Sequence, residues 1–382
     1  MRTNYKIINT VAGLEKAVRI LESETAVAVD MEADSMYHFQ VKVCLLQMAT
    51  EKSTIVVDPL KVKNLSPLKL LFSNPDIKKI FHGADYDVRS LFRDFGIEIN
   101  HLFDTELACR FLGVKETSLE AVVEKYLNRT LDKKYQKKDW SKRPIAKEMI
   151  DYAAGDVKYL LTLAQVCEKE LEKKGRLAWV LEECDALSKV RPDLSDEAPL
   201  FLKFKGAGRL KSKSLAVLES LLEFRKGIAE EKDKPLFKII GNDSIMKIAT
   251  VKPLTLRRLK KINALGEKQI NMYGNDVIER VAGALEIPDS KLPVYPKKKP
   301  QTFPNEVPER IKALKSWRAS KVRVLEIDPG IICNNALITS IAIQNPVDRR
   351  SLDRIKEMRN WQKKEFGQEI ITLLRRPKHS NA

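Results

Sequence analysis

The sequence predicts an α/β domain built on a mixed sheet, followed by two small all-α domains. Three observations carry that expectation. Over residues 1–190, short β-branched runs come first and strand-like and helix-like segments alternate later, the pattern of one mixed-sheet layer with helices. Beyond residue 210 the segments are short, amphipathic and broken by Pro, Gly and Asn, which reads as helical throughout. That second half also repeats itself. Phe224-Arg225 recurs as Trp317-Arg318, Ile248-Ala249 as Ile341-Ala342, and Tyr273-Gly274 as Phe366-Gly367. Pro253, Leu259 and Ile262 recur as Pro346, Leu352 and Ile355, always 93 positions on. One constant offset points to duplicated domains.

In chain order, Tyr5–Ile8 reads as a strand and Leu14–Leu21 as an amphipathic helix. Ala26–Asp30, Val41–Met48 and Ser53–Val57 are strands whose short connections favour antiparallel pairing. Ser66 and Pro67 suit the start of a helix through Leu68–Phe72. A strand over Lys79–His82 leads into a helix over Asp85–Phe95, with Asp85 suited to cap it. Asp104–Leu112 and Leu119–Leu127 are helical, Arg129–Arg143 has no period and reads as a loop, and one helical pattern runs from Ile145 to about Ala186. These boundaries give an α/β domain over 1–190, a linker over 191–210, helical domains over 211–286 and 308–382, and a Pro- and Lys-rich linker over 287–307.

Composition limits the possible roles. The 382 residues carry 69 Lys+Arg against 52 Asp+Glu, a formal net charge of +17. About 38 basic against about 23 acidic residues fall within 193–382, so the excess belongs to the helical half. Such an excess argues for a polyanionic partner, most simply nucleic acid. Five scattered cysteines without Cys-x-x-Cys spacing suit a reducing compartment and argue against a zinc ribbon or a disulfide framework. No apolar stretch approaches the length of a membrane span and MRTNYKIINT lacks a signal-like apolar region, so a cytoplasmic protein is expected. No G-x-x-x-x-G-K-[ST] loop is present, so neither a helicase nor a nucleotide cofactor is expected.

Three short stretches carry chemistry. In TAVAVDMEAD, Asp30 and Glu32 stand two apart at the end of a core strand and project from one face. Like charges so placed repel unless a cation lies between them. In FHGADYD, Asp87 falls in the first turn of a helix. In YAAGD, Tyr152 and Asp156 share a helix face. Each has a plain structural reading on its own: an acidic turn, a carboxylate favoured by a helix dipole, a packed tyrosine beside a solvated acid.

Together, Asp-x-Glu, Asp, and Tyr-x-x-x-Asp resemble the tyrosine subclass of the DEDD superfamily of 3′–5′ exonucleases. The flanking text DMEAD, LLQ, FHGADYDVRSL, LFDTELACRFLG, KKDWSKRPI and DYAAGDVKYLL resembles the ribonuclease D family across residues 1–190. Position 151 is Asp, which sets aside the subclass with a His there. The first helical copy, LEFRKGIAEEKDKPLFKIIGNDSIMKIA through MYGNDVIERV, resembles an HRDC domain. The second keeps only the outline.

The resemblance implies an RNase-H-like fold and hydrolysis by two divalent ions, Mg²⁺ or Mn²⁺, about 3.5–4 Å apart. It further implies that Asp30 bridges both ions, that Glu32 and Asp156 complete the site of the ion holding the attacking water, and that Asp87 serves the other. Tyr152 is expected to hold that water in line first and to transfer a proton only second, since a phenol of pKa about 10 is a poor general base. Packing rather than ligation is expected of His82. Gln47 faces either the site or the core. Lys133, Lys134, Lys137, Lys138, Lys142 and Arg143, interleaved with Tyr135 and Trp140, suit either a strand-binding loop or a solvated charged one. Arg209, Lys211, Lys213, Arg257, Arg258, Lys260 and Lys261 are candidates for phosphate contacts. The expected activity is exonucleolytic trimming of the 3′ ends of structured RNA, with tRNA precursors the expected substrate. A DNA exonuclease and a catalytically silent RNA-binding scaffold are the rivals.

Overall fold

A computed structural model describes residues 5–192, 198–296, 303–304 and 306–375. Parts of both expected linkers, 191–210 and 287–307, lie outside the described residues. The chain forms two compact units: 1–33, 43–192 and 302–382 in one, 34–42 and 193–301 in the other.

The first unit is built on a six-stranded sheet of β1 (Tyr5–Ile8), β2 (Ala26–Ala33), β3 (Val43–Ala49), β4 (Thr54–Val57), β5 (Lys78–Phe81) and β6 (Leu102–Asp104). Their spatial order is β1-β4-β3-β2-β5-β6. The pairs β2–β3 and β3–β4 are antiparallel, as the short connections require. The pairs β1–β4, β2–β5 and β5–β6 are parallel. β2 lies inside the sheet, and a shift of register between Glu32 and Ala33 ends its regular pairing just past the two acids.

Around the sheet lie α1 (Val11–Leu21), α2 (Pro59–Val62), α3 (Pro67–Ser73), α4 (Asp85–Phe95), α5 (Thr105–Phe111), α6 (Leu119–Leu127), α7 (Lys147–Asp156), α8 (Leu160–Lys173) and α9 (Leu177–Ser188). Leu14, Val18 and Leu21 of α1, Leu68, Leu71 and Phe72 of α3, and Val88 and Leu91 of α4 are buried against it. A smaller cluster forms where α7 crosses the sheet: Leu45, Val56, Trp140, Ile150, Ala153 and Ala154.

Several local expectations change. The single helix from Ile145 is three. A 3₁₀ turn over Val157–Tyr159 breaks it after Asp156, and Gly175 at φ 66° breaks it again, a backbone region that glycine enters without a Cβ clash. Asp85 lies inside α4, paired with Arg89, and Ala84 occupies the cap position. Ser66 makes no side-chain cap bond.

The work given to Asp85 is done by Asp104, which sequence reading passed over. Its buried carboxylate accepts from Gly83 N (2.9 Å), Ala84 N (2.8 Å), Glu106 N (2.8 Å) and Leu107 N (3.2 Å). It caps α5 and fixes the turn that launches α4. Asp104→Ala strands four amides, so a loss of about 2–4 kcal/mol is expected, read from the urea midpoint at constant slope. A shift under about 0.5 kcal/mol would mean that water replaces these bonds.

The helical repeat is visible element by element. In the second unit run α10 (Ser212–Glu231), α11 (Leu236–Ile239), α12 (Asn242–Val251), α13 (Leu256–Lys261) and α14 (Glu267–Leu285). The first unit ends in α15 (Glu306–Leu325), α16 (Pro329–Ile332), α17 (Asn335–Gln344), α18 (Arg349–Asp353) and α19 (Asn360–Arg375). Arg225 donates from Nη1 to Ile240 O at 3.1 Å, and its counterpart Arg318 donates to Cys333 O at 2.6 Å. In the second unit Leu215, Leu218, Ile245, Ile248, Val277 and Val281 form the core. The 34–42 segment joins it through Phe39, whose N–H donates to Asp233 (3.0 Å) beside His38 Nδ1 (2.7 Å).

The second copy is welded to the sheet domain. Trp361 stacks on Trp179 with centroids 4.7 Å apart and meets Phe111 edge-on at 5.6 Å. Glu182 accepts from Asn360 N (2.7 Å) and Trp361 N (2.8 Å) at the start of α19, where free amides favour an anion. Glu183 takes Trp361 Nε1 (3.0 Å) and Arg359 Nε (3.2 Å). Arg176 bridges Phe111 O and Leu325 O, both at 2.8 Å. The first copy has Gly266 and Lys268 where the second has Arg359 and Trp361.

Candidate active site

The site begins with the register of β2. Asp30 sits opposite Gln47, and Glu32 opposite Leu45. Directly paired residues of an antiparallel pair point to one face, so both acids project where α7 packs. α7 brings Tyr152 and Asp156 to that face. One carboxylate oxygen from each of Asp30, Glu32 and Asp156 lies within 4.8 Å of the other two. Asp87, on the first turn of α4, stands outside that triad but couples electrostatically to Asp30 and Glu32. Residues from three distant stretches of chain thus converge. A groove of about 490 Å³ opens over them, also lined by His82, Glu106, Glu120, Asp132 and Lys133.

The electrostatics are those of crowded carboxylates. Burial pushes Asp30 up to about 6, opposed by the Met31 amide. Burial, then Asp30, Asp156 and Asp87, push Glu32 up to about 10. Burial and then Asp30 push Asp156 up to about 8, opposed by the bond from Tyr152. Asp87 rises well above its ordinary range, through burial first and then Asp30 and Asp104. The Tyr152 phenol is also raised, by burial and then by Asp156 and Glu32.

These acids hold their protons more tightly folded than unfolded. By linkage the metal-free protein therefore loses stability as pH climbs from about 4, where the unfolded acids release protons, through about 10. Thermal melts in chelator at pH 5, 7 and 9 should show Tm falling, and a divalent cation should restore most of the loss at pH 9. A flat profile would deny the crowding.

The donor set fits a hard divalent cation. All ligands are carboxylate oxygens, whose repulsion a 2+ charge would cancel. Gln47, fully buried opposite Asp30, has neither amide atom bonded within the protein, and a polar group so placed suits water beside an ion.

His82 packs as expected. Its Nδ1 meets Thr105 Oγ1 (2.9 Å) and its Nε2 donates to Thr117 O (2.8 Å), so both nitrogens are in use. The basic loop divides: Lys133, Lys134, Lys137, Lys138 and Lys142 stay exposed, while Trp140 and Arg143 turn inward. Trp140 is 1% exposed and cannot stack on a base. Arg143 is held by Asp58, Lys133 pairs with Glu120, and the Lys134 ammonium lies over the Tyr135 ring at 5.4 Å. No sequence signal distinguished Trp140 and Arg143 from the exposed lysines, because charge and aromaticity serve both uses.

Comparison with known proteins supplies the class. The profile of the 3′–5′ exonuclease family matches residues 5–172, and that of the HRDC domain matches 214–281 and 308–374. The ribonuclease D of Gluconacetobacter diazotrophicus is 27% identical over 370 residues, covering 96% of this chain and 92% of that protein. The crystal structure of the catalytic core of RRP6 from Trypanosoma brucei is 31% identical, with TM-score 0.63 over 75% of this chain and 83% of that one. The fold is shared with the crystal structure of Escherichia coli RNase D, at TM-score 0.72 and 24% identity, over 97% and 99% of the two chains. Fold and site thus define a 3′–5′ exonuclease carrying two HRDC domains. The chain belongs to the ribonuclease D family, a family of 3′–5′ exoribonucleases.

Proposed function

We propose that this protein shortens structured RNA from its 3′ end by hydrolysing the terminal phosphodiester, with tRNA precursors as substrates. The observation that carries this reading is the meeting of Asp30, Glu32 and Asp156 within 4.8 Å beneath a groove, in a chain of this family. Asp30, Glu32, Asp87 and Asp156 would hold two divalent ions, Mg²⁺ or Mn²⁺. Bound there, the ions would supply an activated water and charge neutralisation at the scissile phosphate.

Tyr152 acts as a neutral phenol. An ordinary phenol, with a pKa of about 10, keeps its proton on oxygen at physiological pH, and here the hydroxyl donates to Asp156. Its lone pairs remain free to accept from a water, so it orients rather than deprotonates.

The exposed side chains of Arg209, Lys211, Lys213, Arg257, Arg258, Lys260 and Lys261 would hold the RNA body by phosphate contacts. The proposed domain limits are 1–190 for the exonuclease, 211–286 and 308–382 for the helical domains, with linkers between. Among the described residues no helix is long and apolar enough to cross a membrane, and the five cysteines are buried and outside any disulfide. The cytoplasm is the proposed compartment.

The test uses purified full-length protein and matched 5′-labelled RNA and DNA strands with Mg²⁺ or Mn²⁺. A ladder shortening from the 3′ end of RNA, abolished by chelator and by Asp156→Asn, is expected. Equal or faster DNA degradation would favour a DNA exonuclease, and binding without any shortening a silent scaffold.

A further inference from the structure

The stretch KKDWSKRPI lies in the connection between α6 and α7, and its structure gives it a different task from gripping RNA. Arg143 occupies the centre. Its Nε donates to Asp58 Oδ2 (2.8 Å) and its Nη2 to Asp58 Oδ1 (2.7 Å), a bidentate pair. Nη2 also reaches Cys44 O (2.8 Å) and Nη1 reaches Trp140 O (2.6 Å). Asp58 is 3% exposed and follows β4 directly, where it caps α2 through Leu60 N (3.1 Å). One planar guanidinium therefore ties the Trp140 backbone to β3 and to the end of β4. A bidentate fork fixes direction as well as distance.

Trp140 is in turn the wall of Tyr152. The two rings lie 6.2 Å apart at 32°, and Tyr135 of the same connection meets Tyr152 at 5.8 Å and 59°. The indole Nε1 is buried without a hydrogen bond, so packing and the Arg143 tether hold the ring in place. Tyr152 is thus enclosed by two aromatic rings from one loop.

We propose that Arg143 and Trp140 are positioning residues: with Asp58 they lock the loop to the sheet and thereby fix the Tyr152 phenol over the acidic site. The inference rests on the role proposed above for Tyr152. Misplacing a group that orients a reactant lowers turnover far more than substrate affinity. Arg143 bonds to Asp58 and to backbone carbonyls rather than to the four acids, so ion binding should survive the loss of either loop residue.

The experiment is a double-mutant cycle on full-length protein with single-stranded RNA and Mn²⁺. Arg143→Met, Trp140→Leu and Tyr152→Phe are measured alone, and each of the first two is combined with Tyr152→Phe. Each single loop variant should lower kcat about tenfold or more, with KM within about twofold. The rise in Tm on adding Mn²⁺, measured without RNA, should stay that of the parent protein. In the Tyr152→Phe background either loop substitution should cost less than about twofold more. Losses that multiply, or a raised KM with unchanged kcat, would overturn the inference and leave the role of Tyr152 standing. Parental turnover in Tyr152→Phe would overturn both. Should Arg143→Met fail to fold through the stranded Asp58, Trp140→Leu, which buries no new charge, decides the question alone.

Discussion

Asp30→Asn should abolish hydrolysis, by about a thousandfold or more, while RNA affinity changes little. Asp30 raises the pKa of Glu32, Asp87 and Asp156 alike, which places its charge at the centre of the cluster. An amide keeps the shape and removes the negative charge that a cation needs. The same substitution should stabilise the metal-free protein, because its neighbours ionise more easily without it. Relief of about one pKa unit is worth about 1.4 kcal/mol, or about 2–4 °C in Tm for a unit of this size. The rise in Tm on adding Mn²⁺ should vanish in the variant. Those two thermal shifts have opposite signs, so one calorimetric series with and without the ion checks both. Unchanged turnover in Asp30→Asn would falsify the metal assignment.

Removal of the second helical copy should damage the enzyme itself, and Trp361→Ala isolates the reason. The indole is 4% exposed, stacked on Trp179 and bonded to Glu183. Truncating a buried Trp to Ala costs about 3–5 kcal/mol, so a fall in Tm of about 10 °C is expected. The damage should reach the active site along a short path. α9 carries Trp179 and also Cys184, whose sulfur accepts from Asp104 N at 3.3 Å. Asp104 holds Gly83 and Ala84 at the start of α4, and α4 carries Asp87. Loosening α9 therefore loosens one of the four acids, and turnover on short unstructured RNA should fall as well. A chain ending before residue 303 should be poorly soluble, since Phe111 and Trp179 lose their cover. Full activity and unchanged Tm in Trp361→Ala would show the docking to be incidental.

This bears on how the helical copies are tested for RNA binding. A deletion from about residue 208 onward removes both copies and strips the sheet domain of α19. Lost affinity in such a chain would mix missing phosphate contacts with a disturbed fold. Charge reversal at exposed Arg257, Arg258, Lys260 and Lys261 separates the two effects, because it should change the salt dependence of binding and leave Tm alone.

Local chemistry was legible in the sequence wherever a few neighbouring residues decide it. The apolar run and abrupt acidic end of β2 marked Asp30 and Glu32, because a strand places residues two apart on one face whatever surrounds it. The four-residue spacing of Tyr152 and Asp156 did the same for a helix face. The constant offset of 93 residues foretold two matching sets of helices, since equal patterns of apolar residues bury equal faces. The tertiary structure alone decided what depends on partners far along the chain. It buried Trp140 and half-buried Arg143, because Tyr152 and Asp58 stand beside them. It also drew the second copy onto α9 through Trp361, where the first has Lys268. Burial is a property of pairs of surfaces, and one stretch of chain does not contain its partner.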